Sequence, residues 1–371
     1  MSKEKRFALV SILLLLFCSI LAAGCVSDAI LPVTSEIQEM TEYNDIQLKI
    51  AADALDVAGF NLGDSVNLSF SNGKICRDIP YVSGYYVSEN TNILLVNFNG
   101  QLLINKLRVG GLWDLLGLDT ANTVTITLNE KQKYATEQKL NSYTISLIRS
   151  DYATDEAFSN FRPMNCGNLK ENYLYRGASP IDNTENRAHI TDALLKKYGI
   201  HTILSLNGDQ KSILRHQNES NHNSPWFDRL YAEKSVIMSG VTVDVLNKEN
   251  CIILTNGLRA ALSKEGPIYI HCLEGKDRTG FVCILLEALG DATNEEIFRD
   301  YFKTYENYYH ITKEAEPEVY EQFRALKLDP IINRFTNNGV RSLKEGAIAY
   351  LKEGGMTDEE INKFIAKITK A

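Results

Sequence analysis

The residues with the clearest chemical potential are those of 271–280, which read HCLEGKDRTG. Cys272 precedes Arg278 by six positions, and glycines stand at 275 and 280. A thiolate is a strong nucleophile, and nearby cations lower the pKa of the thiol that forms it. The planar guanidinium of an arginine can hold two oxygens of an anion at once. This spacing predicts a sulfur nucleophile that faces a bound oxyanion.

The neighbouring segments predict how these side chains are positioned. The run PIYIH before Cys272 is typical of a buried strand, and TGFVCILLEALG after Arg278 is typical of a helix. The loop of 272–278 would therefore wrap a helix N-terminus, where unpaired amides and the helix dipole favour an anion. Gly275 permits the tight curvature that turns successive amides inward, and Gly280 lets the helix pack close to the sheet.

This motif resembles the signature loop of protein tyrosine phosphatases, and its Lys-Asp-Arg form is similar to the bacterial tyrosine/serine phosphatase branch. The segment NFRPMNCGNLKENYLYRGASP at 160–180 resembles the entry segment of that branch, usually NFRD…G…LYRS. Pro163 stands where Asp is commoner, and Gly177 stands where Ser is commoner. The resemblance covers about 155–371 and implies a phosphatase that forms a cysteinyl-phosphate intermediate.

The resemblance and the side-chain chemistry together suggest a role for each residue of the loop. Cys272 would attack phosphorus, Arg278 would hold the phosphoryl oxygens, and Thr279 would donate a hydrogen bond to the sulfur. His271 would orient the loop rather than touch the substrate. The residues expected to bind the phosphoryl group are Leu273, Glu274, Gly275, Lys276 and Thr279.

The leaving group needs a proton, usually from a carboxylic acid. Asp277 lies inside the loop, and the resemblance implies that it serves there. Asp244, in GVTVDVLNKEN, lies in the region where relatives carry a mobile acid loop. Asp277 is the favoured acid, Asp244 is the alternative, and Asp209 in LNGDQK is a weaker third candidate.

Two further features bear on the substrate. Tyrosines at 301, 305, 308 and 309 fall on one helical face, which either packs on the sheet or forms an aromatic rim for a phosphotyrosine ring. In related phosphatases a lysine at the position of Lys276 is linked to phosphoinositides. The alternative is that Lys276 only raises the local potential.

The rest of the chain predicts two domains and a leader. Over 151–371, strands and helices alternate, which favours an α/β layered domain with a mostly parallel central sheet flanked by helices. Over 43–150, short apolar runs between turn residues predict a small, mostly β domain of unassigned role, with one helix over 48–60.

The N-terminal residues have the pattern of an exported protein. A positive start, a continuous apolar stretch and Ala-Ala-Gly-Cys predict a lipoprotein signal over 1–24, lipidation of Cys25 and a tether over 25–42. The alternatives are a plain signal peptide and a single anchoring helix. All three interpretations place the mature protein outside the cytoplasm, and lipidation attaches it to the membrane.

Composition limits the remaining function classes. Of 371 residues, 44% are apolar and 23% are charged, as in globular proteins, and the net charge of −8 argues against a nucleic-acid partner. The cysteines show no CxxC pair and no His/Cys metal spacing, so neither metal nor cofactor is predicted. Five cysteines follow Cys25, an odd number that leaves at least one free thiol, for which Cys272 is the candidate.

These observations predict a membrane-tethered phosphatase that hydrolyses phosphomonoesters, phosphotyrosine first and phosphoserine or phosphothreonine second. One alternative keeps the chemistry but changes the substrate to phosphoinositides or inositol polyphosphates. The other alternative is a surface module that binds phosphate without turnover. The intact Cys272, Arg278 and Thr279 argue against it, because a binder has no use for a thiolate.

Overall fold

The computed structural model describes residues 30–41, 45–87, 91–97, 99–106, 112–242 and 245–370. It divides the chain into two compact units, Met1–Ser142 and Tyr143–Ala371. The predicted signal of 1–24 and the predicted lipidation site Cys25 lie outside the described residues. Every helix within the described ranges is too short or too polar to span a bilayer.

The first unit is a closed barrel of seven strands with the order β1-β2-β6-β5-β4-β3-β7. The strands are β1 (Val33–Met40), β2 (Ile46–Ala51), β3 (Ser65–Phe70), β4 (Ile75–Val82), β5 (Asn92–Val96), β6 (Gln101–Lys106) and β7 (Thr123–Glu130). The helices are α1 (Ala52–Val57), α2 (Leu112–Leu116) and α3 (Ala135–Ser142). Strands β4 and β5 run parallel, and the other neighbouring pairs are antiparallel.

Two predictions for this unit were wrong in part. The predicted tether of 25–42 includes β1, where Ile37 is fully buried in the barrel core and pairs with Leu48 of β2. The predicted helix over 48–60 begins only at Ala52, because residues 48–51 complete β2. Closure joins β1 to β7 across about 90 positions of sequence, a pairing that short-range apolar patterns do not encode.

The second unit contains a five-stranded sheet with the order β11-β10-β12-β9-β8. Its strands are β8 (Arg162–Pro163), β9 (Leu174–Gly177), β10 (Thr202–Ser205), β11 (Val236–Met238) and β12 (Ile268–His271). All neighbours run parallel except β8, which is antiparallel to β9. The predicted mixed α/β class is confirmed.

Helices surround this sheet. They are α4 (Asp155–Phe158), α5 (Ala188–Lys197), α6 (Gln210–Gln217), α7 (Pro225–Ala232), α8 (Lys248–Ser263), α9 (Asp277–Leu289), α10 (Asn294–Tyr309), α11 (Pro317–Phe323), α12 (Asp329–Thr336), α13 (Leu343–Glu353) and α14 (Asp358–Ile368). A 3-10 turn, Arg149–Asp151, precedes α4, and a π-helical segment, Arg324–Leu328, joins α11 to α12.

Both faces of the sheet are covered, because consecutive strand residues point in opposite directions. Ile203 packs in a cluster with residues of α5 and α7, whereas Leu204 lies against Gly257 of α8. Helix α9 is buried all round from Thr279 to Leu289, as expected of a central helix that is apolar on every side. This burial fixes the N-terminus of α9 beside the carboxyl end of β12.

Candidate active site

Cys272 lies between the central strand and the central helix. Strand β12 ends at His271 and α9 begins at Asp277, so Cys272 opens the short loop of 272–276. Only 4% of Cys272 is exposed, and its thiol is free. In parallel sheets ligands bind at the carboxyl ends of the strands, and helix N-termini attract anions. The structure thus brings the sulfur to a site suited to an oxyanion.

The first two carbonyls of the loop accept hydrogen bonds from the side chain of His271 and from the backbone of Ser179. The carbonyl of Cys272 lies 3.0 Å from Nδ1 of His271. Because a carbonyl can only accept, Nδ1 of His271 carries the proton and donates it. The carbonyl of Leu273 accepts from the backbone amide of Ser179 at 2.8 Å.

The next two carbonyls accept from side chains of more distant elements. The carbonyl of Glu274 accepts from the hydroxyl of Tyr308 at 2.7 Å. The carbonyl of Gly275 accepts from Nη2 of Arg176 at 3.0 Å and from Nδ2 of Asn160 at 3.1 Å. Four consecutive carbonyls are therefore held from outside the loop.

This arrangement determines the direction of the loop amides. In a trans peptide the N–H points opposite to the preceding carbonyl. Holding the carbonyls of 272–275 outward therefore turns the amides of 273–276 to the other side of the loop. Successive amides on one side of a loop form an anion-binding nest, and the dipole of α9 adds to its positive potential.

Gly275 allows the loop to contact the end of β9. Its φ of +69° lies in the left-handed region, and a Cβ there would lie 2.3 Å from the carbonyl carbon and oxygen of Gly177. The contacting atoms belong to the backbone of a strand, so they cannot shift as a flexible side chain could. The position therefore requires glycine for both conformation and space.

Pro163 and Gly177, the two residues that differ from the NFRD…G…LYRS pattern, have different surroundings. Pro163 pairs with Tyr175 where β8 meets β9. At Gly177, a Cβ would lie 2.4 Å from the hydroxyl oxygen of Tyr269, which donates to the carbonyl of Ala178 at 2.6 Å. The Tyr269 hydroxyl thus occupies the space that a serine at 177 would need.

An ion-pair network holds the donors to Gly275. Arg162 Nε donates to Asp300 Oδ1 at 2.7 Å, and Arg176 Nη1 donates to Asp300 Oδ2 at 2.5 Å. Arg162 Nη1 also donates to Asn160 Oδ1 at 2.6 Å, which leaves the Asn160 amide nitrogen directed at the loop. Burial alone would raise the pKa of Asp300, but the charges and hydrogen bonds of the two arginines outweigh it and hold that pKa below its usual value.

Glu287 lies in the same buried region. Burial first, and the charge of Asp300 second, raise the pKa of Glu287 well above its usual value, which favours the neutral form of this carboxyl. Two arginines, Arg162 and Arg176, then share one carboxylate. The two guanidinium charges exceed the single charge of Asp300, and this excess of positive charge beneath the loop favours a bound phosphate.

His271 directly precedes Cys272, Thr279 directly follows Arg278, and both side chains are fully buried. Burial lowers the pKa of His271 to about 4, and the charge of Arg278 acts in the same direction. The hydrogen bond to the carbonyl of Cys272 opposes this shift but is the weaker effect. His271 is therefore neutral at pH 7 and orients the loop. The Oγ1 atom of Thr279 has no hydrogen-bond partner within the described ranges, and its predicted bond to the sulfur stays a prediction.

Arg278 is the second residue of α9. It is half-buried, and its Nη1 donates to the carbonyl of Val241 at 3.3 Å. Asp244, the alternative acid, lies outside the described residues. Asp209 caps α6 by accepting from the amide of Ser212 at 2.9 Å, so its carboxylate has a structural role.

Asp277 is the first residue of α9, and half of its side chain is exposed. Its Oδ2 lies 3.4 Å from Nζ of Lys276. Desolvation would raise the pKa of Asp277, but the charges of Lys276, Lys327 and Arg278 together outweigh it and lower that pKa. Lys276 also lies 3.0 Å from Glu274 Oε2, so the loop carries both signs of charge at its edge.

The tyrosine face of α10 packs inside the protein. Tyr301, Tyr305 and Tyr308 are buried, and Tyr309 is half-buried. The interpretation as an aromatic rim was therefore wrong for the first three. Tyr308 acts on the site through its hydrogen bond to the carbonyl of Glu274.

The described cysteines are all free thiols: Cys76, Cys166, Cys251, Cys272 and Cys283. Burial raises the pKa of the Cys251 thiol to about 11, and it also raises those of Cys166 and Cys283. Over the same part of the chain, no three His, Cys, Asp or Glu side chains are grouped to hold a metal ion.

Residues 159–370 match the model of the tyrosine phosphatase family. A search of curated protein sequences gives no significant match. Among solved structures, similarity is found to the core catalytic domain of the PP-IP phosphatase SIW14 from S. cerevisiae, with 20% identity over 49% of this chain and 93% of that one, at a TM-score of 0.26.

Two other solved structures are similar to the chain. TpbA from P. aeruginosa has 16% identity over 61% of this chain and 97% of its own, at a TM-score of 0.25. An uncharacterized conserved protein from Thermotoga maritima has 15% identity over 26% of this chain and 35% of its own, at a TM-score of 0.23. The chain thus spans about a third of the Thermotoga protein. At these TM-scores the structural similarities carry no argument.

Proposed function

The chain belongs to the tyrosine phosphatase family, and on that premise we propose that it hydrolyses phosphomonoesters through a cysteinyl-phosphate intermediate. The observation that carries the proposal is the loop of 272–276, in which four consecutive carbonyls are held outward beside a buried sulfur. Such fixed amides stabilise negative charge as it develops, without reorganisation during the reaction.

The reaction has two displacements at phosphorus. In the first, Cys272 Sγ forms a bond to phosphorus, the ester P–O bond breaks, and an acid protonates the departing oxygen. In the second, water attacks phosphorus, the S–P bond breaks, and the same carboxylate takes up the proton of the water. Arg278 and the loop amides hold the phosphoryl oxygens throughout, and Thr279 is available to donate to the departing sulfur.

We assign the acid to Asp277, with Asp244 as the alternative. Asp277 begins α9 directly beside the loop and is half-exposed, so a leaving group can reach it. Because the pKa of Asp277 is lowered, only a small fraction of its carboxyl groups is protonated at neutral pH. The proposed reaction should therefore be faster at acidic pH.

The proposed substrate is a phosphotyrosyl side chain or a similar aryl ester. Inositol polyphosphates are the second substrate class, and that proposal depends on Lys276, which lies between two carboxylates. A phosphate-binding module without turnover is the non-enzymatic alternative.

Replacing Cys272 by serine tests the mechanism. We expect C272S to lose kcat on p-nitrophenyl phosphate by a factor on the order of 10⁴ or more, because a serine hydroxyl is far less acidic than a thiol and is a weak nucleophile unless a base activates it. Cys76→Ser, in the other unit, is the matched control and should keep kcat. Activity of C272S at the wild-type level would contradict the mechanism, and an inactive wild type that binds phosphate would favour the binding module.

We also propose that the protein acts on the outer side of a membrane, attached through lipid on Cys25. The support is the order of positive start, apolar stretch and Ala-Ala-Gly-Cys in 1–25. Expression of the full chain and of Cys25→Ala, followed by membrane fractionation, tests this. The wild type should stay with the membrane and the variant should not receive lipid; a wild type recovered in the cytoplasm would contradict the proposal.

A further inference from the structure

The environment of Lys276 is unusual for a cation at the edge of a phosphate site. Its side chain is buried, and its Nζ lies 3.0 Å from Glu274 Oε2 and 3.4 Å from Asp277 Oδ2. Its positive charge is therefore met by two carboxylates before any substrate arrives. Since opposite charges at such distances largely cancel at longer range, Lys276 contributes little attraction to a second phosphate.

Glu274 is the better held of the two carboxylates. Its side chain is 26% exposed, against 50% for Asp277, and it is the closer to Lys276. Its own carbonyl is fixed by the hydroxyl of Tyr308, so the backbone presents the side chain from a rigid position.

These observations bear on substrates with several phosphates. One phosphoryl group fits the amides and Arg278. Additional phosphates on a ring would lie outside that pocket, at the edge of the loop that carries Glu274 and Asp277. Like charges there oppose binding unless a cation is available to compensate.

We propose that Glu274 is a specificity-determining residue: by pairing with Lys276 it directs the site to esters that carry one phosphate, such as phosphotyrosyl side chains, and against inositol polyphosphates. The inference rests on the proposed phosphatase function and deepens it by naming the substrate class.

The experiment compares the full-length wild type with Glu274→Gln, which keeps the shape and removes the charge. The Ki of inositol hexakisphosphate is measured against hydrolysis of p-nitrophenyl phosphate. We expect E274Q to lower this Ki about tenfold, because Lys276, released from its nearer carboxylate, can then pair with a second phosphate. The KM of p-nitrophenyl phosphate is measured in parallel in both proteins, and added salt should reduce the gain in Ki.

Two controls make the result specific. Glu156→Gln removes a carboxylate of similar exposure, 27%, that also pairs with a lysine but does not belong to the loop, and it should leave the Ki unchanged. In the Lys276→Gln background, E274Q should bring no further gain, because Glu274 acts through Lys276.

An unchanged Ki in E274Q, or a full gain in E274Q/K276Q, would overturn the inference while leaving the phosphatase function intact. A wild type that hydrolyses no phosphate ester would be a different result from an unchanged Ki. It would overturn the proposed function, and the inference with it.

Discussion

At the scale of single residues, the site depends on side chains that hold the loop carbonyls from outside. The neutral imidazole of His271 donates to the carbonyl of Cys272, and the hydroxyl of Tyr308 donates to that of Glu274. Neither side chain needs to touch a substrate. Each one fixes a peptide group, and the opposite side of that peptide presents the amide that we propose binds the phosphate.

The pH dependence of catalysis tests the role of Asp277. An acid catalyst must be protonated, and because the pKa of Asp277 is lowered, its protonated fraction falls about tenfold per pH unit across the neutral range. We expect the ratio of wild-type to D277N kcat/KM on phenyl phosphate to fall as pH rises from about 5 to 8. The ratio cancels the titration of the substrate itself.

Asp209→Asn is the control, since its carboxylate caps a helix; it should keep the wild-type pH profile. If D244N rather than D277N flattens the profile, Asp244 is the acid and the assignment of Asp277 is wrong.

At the scale of elements, the site joins parts of the chain that lie far apart in sequence. The placement of the loop between β12 and α9 could be predicted, because an apolar strand, two glycines and an apolar helix follow one another within about 25 residues. The direction of the loop amides could not, since it depends on Arg176 and Asn160 meeting Gly275 across about 100 positions.

Asp300 was not identified from the sequence as part of the site, because its partners lie far away in sequence. The sequence of α10 nevertheless contains a pattern that points to it. Asp300, Thr304 and Tyr308 follow at four-residue intervals, so they share one face of the helix. That face is otherwise a row of buried aromatic rings, and a carboxylate there needs a buried partner. The pattern indicates that a cation must meet Asp300, but only the fold shows that Arg162 and Arg176 do so.

Replacing Asp300 by asparagine tests this network. It leaves two buried arginines without a carboxylate, so we expect a loss of about 3–5 kcal/mol in the free energy of unfolding, together with reduced activity. Denaturant unfolding measures the loss. Asp291→Asn breaks a surface pair with Lys344 and should cost less than about 1 kcal/mol. Equal losses in the two variants would contradict the structural role of Asp300.

At the scale of the whole molecule, every described residue assigned to the site lies in the unit of 143–371. That unit begins earlier than the sequence-predicted boundary at 151. The carbonyl of Ser146 accepts from Arg187 and from Tyr152, and Tyr152 packs edge-on against Phe158. Residues 143–152 are therefore part of the second core.

Two fragments test this boundary. The fragment 143–371 should fold and keep kcat/KM within about twofold of the full chain, because it holds a complete core. The fragment 153–371 loses the buried Tyr152 and should be less stable by about 3 kcal/mol or more. Thermal unfolding and kinetics on p-nitrophenyl phosphate measure both. Equal stability of the two fragments would contradict the assignment of 143–152 to this unit.

The five unbridged cysteines of the described residues would have a consequence for the exported protein proposed above. Packing, rather than covalent pairing, shelters four of them, and Cys166 is partly exposed. Each passage through the unfolded state would expose all five together, and mismatched bridges formed at that moment would prevent return. The working lifetime of the enzyme outside the cell would then be determined by how often it opens, and slowing that opening would preserve it better than removing any one sulfur.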